Sequence, residues 1–288
     1  MFYSLSLLSG VLIAVMLAIN GMLTGYHGVH SATVIIHLIG TIFVAMIVIL
    51  KRERLFAARH PWFLYLGGAI GMMVAILNNM AFGRISLSAI LALVLLGQTV
   101  AGLLIDQFGL FNMPKHPFDR SKLVGIGIIL IGVAVMIDNF ELAAIVMSFA
   151  AGAGIVFSRT INARLSELTS IRISTFYHHL VGFVLSIPIL LILGRNEIAA
   201  FEPAPPAQWY IYLGGIVGVT VIIISNIIVV KISAFYLSLL IFVGQIFTSI
   251  IIDMILTQAF SHLNLIGGII VAAGLCVNLL LDRKRTTF

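Results

Sequence analysis

The chain carries few charged residues for its length. Charged side chains make up 9% of its 288 residues, whereas soluble domains carry about 25%. Hydrophobic residues make up 61% of the chain, so it cannot cover its own surface with polar groups. This composition excludes a separate soluble domain and predicts an integral membrane protein that is surrounded by lipid.

Cysteine and catalytic motifs are also scarce. The single cysteine, Cys276, excludes a disulfide within the chain and a cysteine metal cluster, and its apolar surroundings predict a small buried side chain. The sequence contains no phosphate-binding glycine loop, no metal-binding His-Glu motif and no nucleophile elbow. We therefore predict no cofactor, no metal site, no enzymatic activity and no direct use of ATP by this chain.

What the sequence does contain is ten long apolar runs. Backbone groups in lipid must form their hydrogen bonds within the segment, so each run predicts a transmembrane helix rather than a strand. The predicted fold class is an all-α integral membrane protein with ten transmembrane helices. The runs cover residues 3–24, 31–50, 62–82, 86–106, 121–138, 142–163, 172–193, 209–229, 233–256 and 263–281.

Basic residues fall almost entirely on one side of these predicted helices. Of the 16 Lys and Arg residues, only Arg84 and Arg195 lie in loops on the side opposite the N-terminus, and Arg159 lies inside a predicted helix. Because loops rich in Lys and Arg stay in the cytoplasm, both termini are predicted to be cytoplasmic. The net charge of +6 has the same origin, so no nucleic-acid partner is expected.

The sequence repeats itself. The segment LLGQTVAGLLID, residues 95–106, returns as FVGQIFTSIIID, residues 242–253, with both its Gln and its Asp displaced by 147 positions. His37 and His179 are related in the same way at an offset of 142. Other matching positions keep the same register, and one longer and one shorter loop explain the two offsets.

Each repeat contains five predicted helices. The boundaries predicted from the repeat are residues 1–140 for the N-terminal copy and residues 141–288 for the C-terminal copy. Because five is odd, the second copy would enter the membrane inverted relative to the first. Inverted repeats are common in transporters, where the solute site lies between the repeats near the midplane and access to it alternates.

Four sequence features carry a resemblance to a known family. They are the segments INARL, PWFLYLGGAIG and GQTVAGLLIDQFGLF and the closing helix with its Gly-x6-Gly spacing. The chain resembles the YdcZ family of bacterial inner-membrane proteins within the drug/metabolite transporter superfamily. Members of that family are usually about half this length, so the chain resembles two of them fused. In the first half Asp106 is followed by Gln-Phe-Gly. In the second half Asp253 is followed by Met-Ile-Leu, so the Phe-Gly pair is missing there.

The resemblance implies a ten-helix fold of two inverted five-helix bundles in the bacterial inner membrane. It also implies export of small organic solutes, without specifying which. Small drug exporters of the superfamily use a membrane-embedded glutamate to exchange a cation for protons. This sequence has no carboxylate at mid-depth in any predicted helix, which argues against that mechanism here.

Five polar side chains inside the predicted helices are candidates for solute binding, because polar groups in lipid are costly unless they pair or face water. For each of them a structural role is the alternative. The glutamines could join two helices by a hydrogen bond, the asparagines could cap helices, and the arginine could extend its side chain to the lipid headgroups. The candidates are Gln98, Gln245, Asn79, Asn226 and Arg159.

Two histidines and two aspartates are candidates for coupling and gating. His37 and His179 are titratable groups well inside predicted helices, so they could carry a coupling proton, or they could bond to backbone carbonyls. Transport is then expected either to follow the solute gradient alone or to depend on pH through these histidines. Asp106 and Asp253 lie at helix ends, where they could gate the pathway, cap a neighbouring helix or pair with a loop cation.

The function predicted from the sequence is that of a secondary transporter or facilitator, most simply an exporter, of small organic metabolites. The alternative is a membrane scaffold or regulatory subunit without transport activity. The expected partners are a small-molecule solute and membrane lipid, and the expected state is a monomer or a weak homodimer.

Overall fold

The fold was analysed in a computed structural model that describes residues 2–54, 60–108, 122–137, 140–228 and 234–283. Within these ranges the regular structure is helical, apart from one isolated β-bridge between Phe82 and Ile85, and short turns and loops join the helices. The helices are α1 (Phe2–His27), α2 (Val29–Leu50), α3 (Leu66–Ala81), α4 (Leu87–Phe108), α5 (Lys122–Met136), α6 (Leu142–Leu168), α7 (Ile171–Leu193), α8 (Arg195–Ala199), α9 (Gly214–Ile228), α10 (Ala234–Thr257) and α11 (His262–Arg283).

Eight segments of the described chain are long and apolar enough to cross a membrane. Two further apolar helices, Leu123–Met136 and His262–Asn278, are shorter and coincide with the fifth and tenth predicted runs. The prediction of an all-α membrane protein is therefore confirmed. The eight segments are Phe2–His27, Val29–Leu50, Trp62–Ala81, Leu87–Ile105, Leu142–Leu168, Ile171–Leu193, Pro206–Ser225 and Leu240–Thr257.

The predicted boundaries differ from the observed ones where a helix extends beyond its apolar run. Helix α6 continues five residues past the predicted end at 163, and Arg164 and Glu167 in this extension form an ion pair at 2.9 Å. Helix α8 was not predicted, because its sequence is short and polar. An apolar run marks the part of a helix that lies in lipid, whereas the hydrogen-bonded helix can continue into the polar region beyond it.

The helices α3 and α9 begin in the same unusual way. Each is preceded by a 3₁₀ segment, Trp62–Tyr65 before α3 and Pro206–Leu213 before α9, and each segment follows a proline. Trp62 and Trp209 in these segments are both largely exposed. Tryptophan is enriched where a membrane meets water, and both side chains are suited to such a boundary.

Contacts divide the chain into two compact units, and each unit contains segments from both sequence repeats. We call the first the α5–α11 unit and the second the α2–α7 unit. The α5–α11 unit consists of Met1–Val15, Ala81–Ala153 and Ile227–Phe288, and the α2–α7 unit consists of Met16–Met80 and Gly154–Asn226.

Glycines bring α5 and α11 into backbone contact. A Cβ atom on Gly132 would lie 2.7 Å from the Gly267 carbonyl oxygen, and one on Gly267 would lie 2.6 Å from the Gly132 oxygen. Gly125 and Gly274 face each other in the same reciprocal manner, at 2.7 and 2.8 Å. Small residues permit such close approach of helices in membranes. The pairing of 125 with 274 and of 132 with 267 also makes the two helices antiparallel.

Elsewhere in the α5–α11 unit, one type of glycine contact occurs twice. In each instance a glycine faces a backbone carbonyl of the neighbouring helix, and that neighbour's own glycine faces back. Helices α1 and α10 form one instance, and α6 and α4, their equivalents in the other repeat, form the second. The four contacts are Gly10 with Ile241 O, Gly244 with Leu7 O, Gly152 with Val94 O and Gly97 with Phe149 O.

The α2–α7 unit is organised around an antiparallel helix pair. Gly40 of α2 faces residue 179 of α7, and Gly182 of α7 faces residue 37 of α2. Towards one end of the pair a buried apolar cluster extends to α9. Its buried members are Val44, Val48, Ile173, Phe176 and Val219.

Candidate functional site

Three histidine side chains meet between α2 and α7, and we call them the histidine cluster: His37, His178 and His179. The ring centroid of His37 lies 5.7 Å from that of His179 and 6.4 Å from that of His178. The centroids of the two α7 rings are 5.2 Å apart. His37 and His179 are buried, with 3% and 4% of their surface exposed. The sequence paired these two by their spacing, and the structure brings them into one site with His178.

The cluster exists because glycines leave room for the rings. A Cβ atom on Gly40 would overlap the His179 ring, and one on Gly182 would overlap the His37 ring. His178 lies in the same way against Gly71 of α3. Glycines that a sequence reading treats as general packing residues therefore define the position of each imidazole.

Hydrogen bonds fix two of the three rings. Nδ1 of His37 donates to the Thr33 carbonyl at 2.9 Å, which leaves Nε2 as an acceptor. The amide of Asn162 donates to Nδ1 of His178 at 2.8 Å, which places the proton of that ring on Nε2. Neither ring nitrogen of His179 has a hydrogen-bond partner among the described residues. A buried group without a partner is costly, so His179 is the member of the cluster with hydrogen-bonding capacity to spare.

Asn162 connects the cluster to α3. Its side chain lies against Gly67, and it donates to the Ser158 hydroxyl at 3.3 Å, while that hydroxyl donates to the Gly67 carbonyl at 2.7 Å. The equivalent residue of the first repeat, Asn20, lies against Gly214. The sequence alone does not distinguish Asn162 from a helix cap. Its role is identified only by the packing of α6 on α3.

A metal ion does not fit the cluster as it stands. Among the described ranges, no group of three or more His, Cys, Asp or Glu side chains is arranged to hold a metal. The chemistry available is that of neutral imidazoles, each of which offers one donor and one acceptor.

The candidate glutamines belong to the other unit. Gln98 of α4 is half-buried and Gln245 of α10 is buried, and both lie in the α5–α11 unit. The backbone nitrogen of Gln245 lies at the close contact with Gly10. Their predicted role in solute binding stays a prediction.

The other solute-binding candidates lie in different surroundings. Arg159 is an exposed side chain inside α6, one helical turn before Asn162, and has no hydrogen-bond or ion-pair partner among the described residues. Asn79 near the end of α3 is buried, and its amide nitrogen has no partner among those residues. The side chain of Asn226 lies outside the described residues.

Asp253 makes the helix cap that the sequence left open as an alternative to gating. Its carboxylate accepts hydrogen bonds from the backbone N–H groups of Leu87 and Ser88 at 2.8 and 2.9 Å, and from the Ser88 hydroxyl at 2.6 Å. A carboxylate at this position also interacts favourably with the dipole of α4. The side chain of Asp106 lies outside the described residues.

Two further carboxylates at helix starts were missed by the sequence reading. Glu197 accepts from the backbone N–H of His30 at 3.0 Å and of Ser31 at 2.8 Å, and from Nδ1 of His30 at 2.8 Å. Glu53 accepts from the Ser170 hydroxyl and the Arg172 guanidinium. Both residues lie outside the apolar runs, where a charged side chain is ordinary and does not by itself indicate a site.

The environment of Glu53 favours its charged form. Burial raises the pKa of the Glu53 carboxyl, but the hydrogen bonds from Ser170 and Arg172 and the positive charge of Arg172 lower it by more, so the pKa lies below its ordinary value. Glu53 therefore stays ionised at neutral pH.

Comparisons with known proteins bear on both the fold and the family. A solved crystal structure of another protein covers 98% of this chain and 96% of its own length at a TM-score of 0.62 and 16% identity, which is a likeness of fold alone. No curated protein matches the chain. The family model described as "Putative inner membrane exporter, YdcZ" matches residues 1–135 and again residues 143–277. The chain therefore belongs to the YdcZ family of multi-pass inner-membrane proteins, as a member with two repeats.

Proposed function

We propose that the protein is a secondary transporter or facilitator that exports small organic metabolites by alternating access. The proposal includes ten transmembrane helices in two inverted five-helix repeats, residues 1–140 and 141–288, with both termini in the cytoplasm. Membership of a family named for inner-membrane export supports the direction and the membrane. The basic loops predicted from the sequence support the orientation.

One observation carries the proposal: equivalent helices of the two repeats pack against each other antiparallel and exchange the same contacts. The pair α2 and α7 does so through Gly40 and Gly182, and the pair α5 and α11 does so through its four glycines. Antiparallel equivalents are what an inverted repeat requires. A fold that can exchange the roles of its halves can open first to one side of the membrane and then to the other.

The residues proposed for solute binding are the five polar residues that the sequence places inside apolar helices. Arg159 is exposed inside an apolar helix and has no partner among the described residues, so it favours solutes that bear a carboxylate or another anionic group. We add Gln98, Gln245, Asn79 and Asn226 as neutral binding groups. Asp106 and Asp253 are proposed to gate the two mouths of the pathway.

If export is coupled to protons, the histidine cluster is the proposed carrier. His37 and His179 lie in equivalent positions of the two repeats, and neither ring nitrogen of His179 has a partner within the part of the chain that the structure describes. Without such coupling, the solute gradient alone would drive transport.

Transport by the purified protein in liposomes tests the proposal. The liposomes would be loaded with a mixture of small organic acids, amines and polar neutral metabolites, and efflux of each would be followed by mass spectrometry. We expect efflux of a subset that the double variant Gln98→Leu and Gln245→Leu abolishes. The control is Gln208→Leu, the same chemical change in the 3₁₀ segment before α9.

The outcome separates the transporter from the scaffold. Equal efflux from protein-containing and protein-free liposomes, with a folded protein, would favour the scaffold. Efflux that survives the double Leu change would reduce the two amides to joining helices. Efflux that varies steeply between about pH 5.5 and pH 8, and still does so after His37→Gln with His179→Gln, would remove the histidine cluster from the mechanism.

A further inference from the structure

The two ends of the α2–α7 pair are closed by equivalent carboxylate contacts. We call the contact of Glu197 with His30 and Ser31 the His30 latch, and the contact of Glu53 with Ser170 and Arg172 the Arg172 latch. Each carboxylate lies shortly after the last residue of one helix and reaches the first turn of the other. The latches thus join the C-terminal end of each helix to the N-terminal end of its partner.

The bases in the two latches occupy the same position of the repeat. His30 and Arg172 are 142 residues apart, which is the offset that relates α2 to α7. The capping positions, Gly28 and Ser170, are related by the same offset. Ser170 caps α7 with its own hydroxyl, whereas Gly28 has no side chain, and a Cβ atom there would overlap the Glu197 carboxylate. At α2 the carboxylate therefore replaces the missing cap.

We infer that these equivalent latches differ in their response to pH, because the base of the His30 latch is a histidine, which can lose its charge, and the base of the Arg172 latch is an arginine, which cannot. A histidine changes its charge between about pH 5 and pH 8, whereas an arginine stays charged throughout. A protonated imidazole attracts the Glu197 carboxylate, whereas a neutral one contributes a hydrogen bond without the ion pair.

The described surroundings of His30 offer its ring one ion-pairing partner. Among the described residues, Glu197 of α8 is the one carboxylate within ion-pairing distance of its ring, at 2.8 Å. On the neighbouring elements, His27 of α1 is bonded to the Tyr212 hydroxyl, and Arg195 donates to the carbonyl of Leu191. Among the residues that the structure describes, Glu197 is therefore the group whose contact depends on the charge of His30.

The Arg172 latch, at the other end of the helix pair, keeps its ion pair across this pH range. Arg172 contacts the Glu53 carboxylate through two nitrogens, and the lowered pKa of Glu53 keeps that carboxylate charged well below neutrality. In the proposed orientation the His30 latch faces the outside and would sense external acidity. That consequence rests on the proposed function, but the difference between the latches does not.

Amide hydrogen exchange of the full-length protein in detergent tests the inference without any transport measurement. The amides of His30 and Ser31 donate directly to Glu197, so peptides that cover residues 28–34 report the His30 latch, and peptides that cover residues 170–176 report the Arg172 latch. After correction for intrinsic exchange, we expect protection of 28–34 to fall about five-fold between about pH 6 and about pH 8, the loss of an ion pair at the upper end of the surface range. Protection of 170–176 should stay unchanged.

Exchanging the bases makes the test decisive. H30R should remove the pH dependence at 28–34, and R172H should create one at 170–176. E197Q should weaken protection at 28–34 and make it independent of pH, while E202Q, in an exposed segment, should resemble the parent. If R172H does not fold, H30R and E197Q decide. A parent protein with equal protection at both pH values, or a pH dependence that survives H30R, would overturn the inference.

Discussion

Replacing Gly132 by alanine should destabilise the protein, whereas the same change at Gly127 should not. Both glycines lie in α5, so they share the cost that glycine imposes on a helix. A Cβ atom at position 132 would meet the backbone of α11 at Gly267 O and at the nitrogen of Val271, at 2.7 and 2.8 Å. A Cβ atom at 127 would meet nothing within 4 Å.

The size of the difference follows from two opposing effects. Alanine is favoured over glycine in a helix interior by about 0.5–1 kcal/mol, and both variants gain this. Overpacking costs about 1–3 kcal/mol, and the upper part of that range applies at Gly132 because the obstructing atoms are backbone, which cannot rotate aside. We therefore expect Gly132→Ala to be less stable than Gly127→Ala by about 2–3 kcal/mol.

Thermal unfolding in detergent, followed by intrinsic fluorescence, would measure this difference. At about 2–4 °C per kcal/mol for a chain of 150–250 residues, the midpoints of the two variants should differ by at least about 4 °C. Gly274→Ala, at the equivalent position of α11, should behave like Gly132→Ala. Equal midpoints for Gly127→Ala and Gly132→Ala would refute the claim that glycine contacts hold α5 against α11.

Two further predictions concern carboxylates at helix starts. Asp253→Asn leaves one good acceptor for two backbone N–H groups and removes the charge at the start of α4, so the free energy of unfolding should fall by about 1–2 kcal/mol; a midpoint equal to that of Glu202→Gln would contradict this. Glu53 has a lowered pKa in the folded protein, so its stabilising contribution is present above the ordinary glutamate pKa and is lost as the pH falls through the folded value. Glu53→Gln should accordingly lower stability at neutral pH and weaken the loss of stability on acidification, as measured by midpoints across the acid range; parallel curves for variant and parent would show that the contact contributes nothing.

The helices were largely predictable because one physical constraint dominates them. Long apolar runs in lipid have to be helical, so α2 and α7 match their predicted ranges to within two residues at each end. The 3₁₀ segments before α3 and α9 were not predicted, although the prolines at 61 and 205 mark where they start. Hydropathy does not distinguish a 3₁₀ turn from an α-helix.

The histidine cluster was predictable in part. The repeat spacing paired His37 with His179, but a spacing gives equivalence and not contact. Contact between them follows only from the antiparallel packing of α2 on α7. The same packing brings His178 next to His37, and Asn162 is hydrogen-bonded to His178. His178 stands where the first repeat has Ile36, so the repeat itself gave no reason to include it.

The carboxylate contacts could not have been found from one sequence. Glu197 and Asp253 each bond to backbone amides more than 160 residues away, and a backbone amide leaves no trace in the amino-acid sequence. Glu53 pairs with side chains, but in the sequence a loop glutamate beside several basic residues has many possible partners. Only the fold selects one.

The pairing of equivalent helices also means that α2 can form its contacts only after α7 has been synthesised. His37 of α2 contacts His179 of α7, which follows it by 142 positions, and Gly40 of α2 packs against the same residue. At about 5–20 residues per second, the ribosome needs roughly 7–28 s to supply that partner. During this interval the first repeat is already in the membrane with a polar imidazole and a bare glycine face uncovered. A nascent chain halted near residue 140 should therefore be a better substrate for membrane quality control than the finished protein.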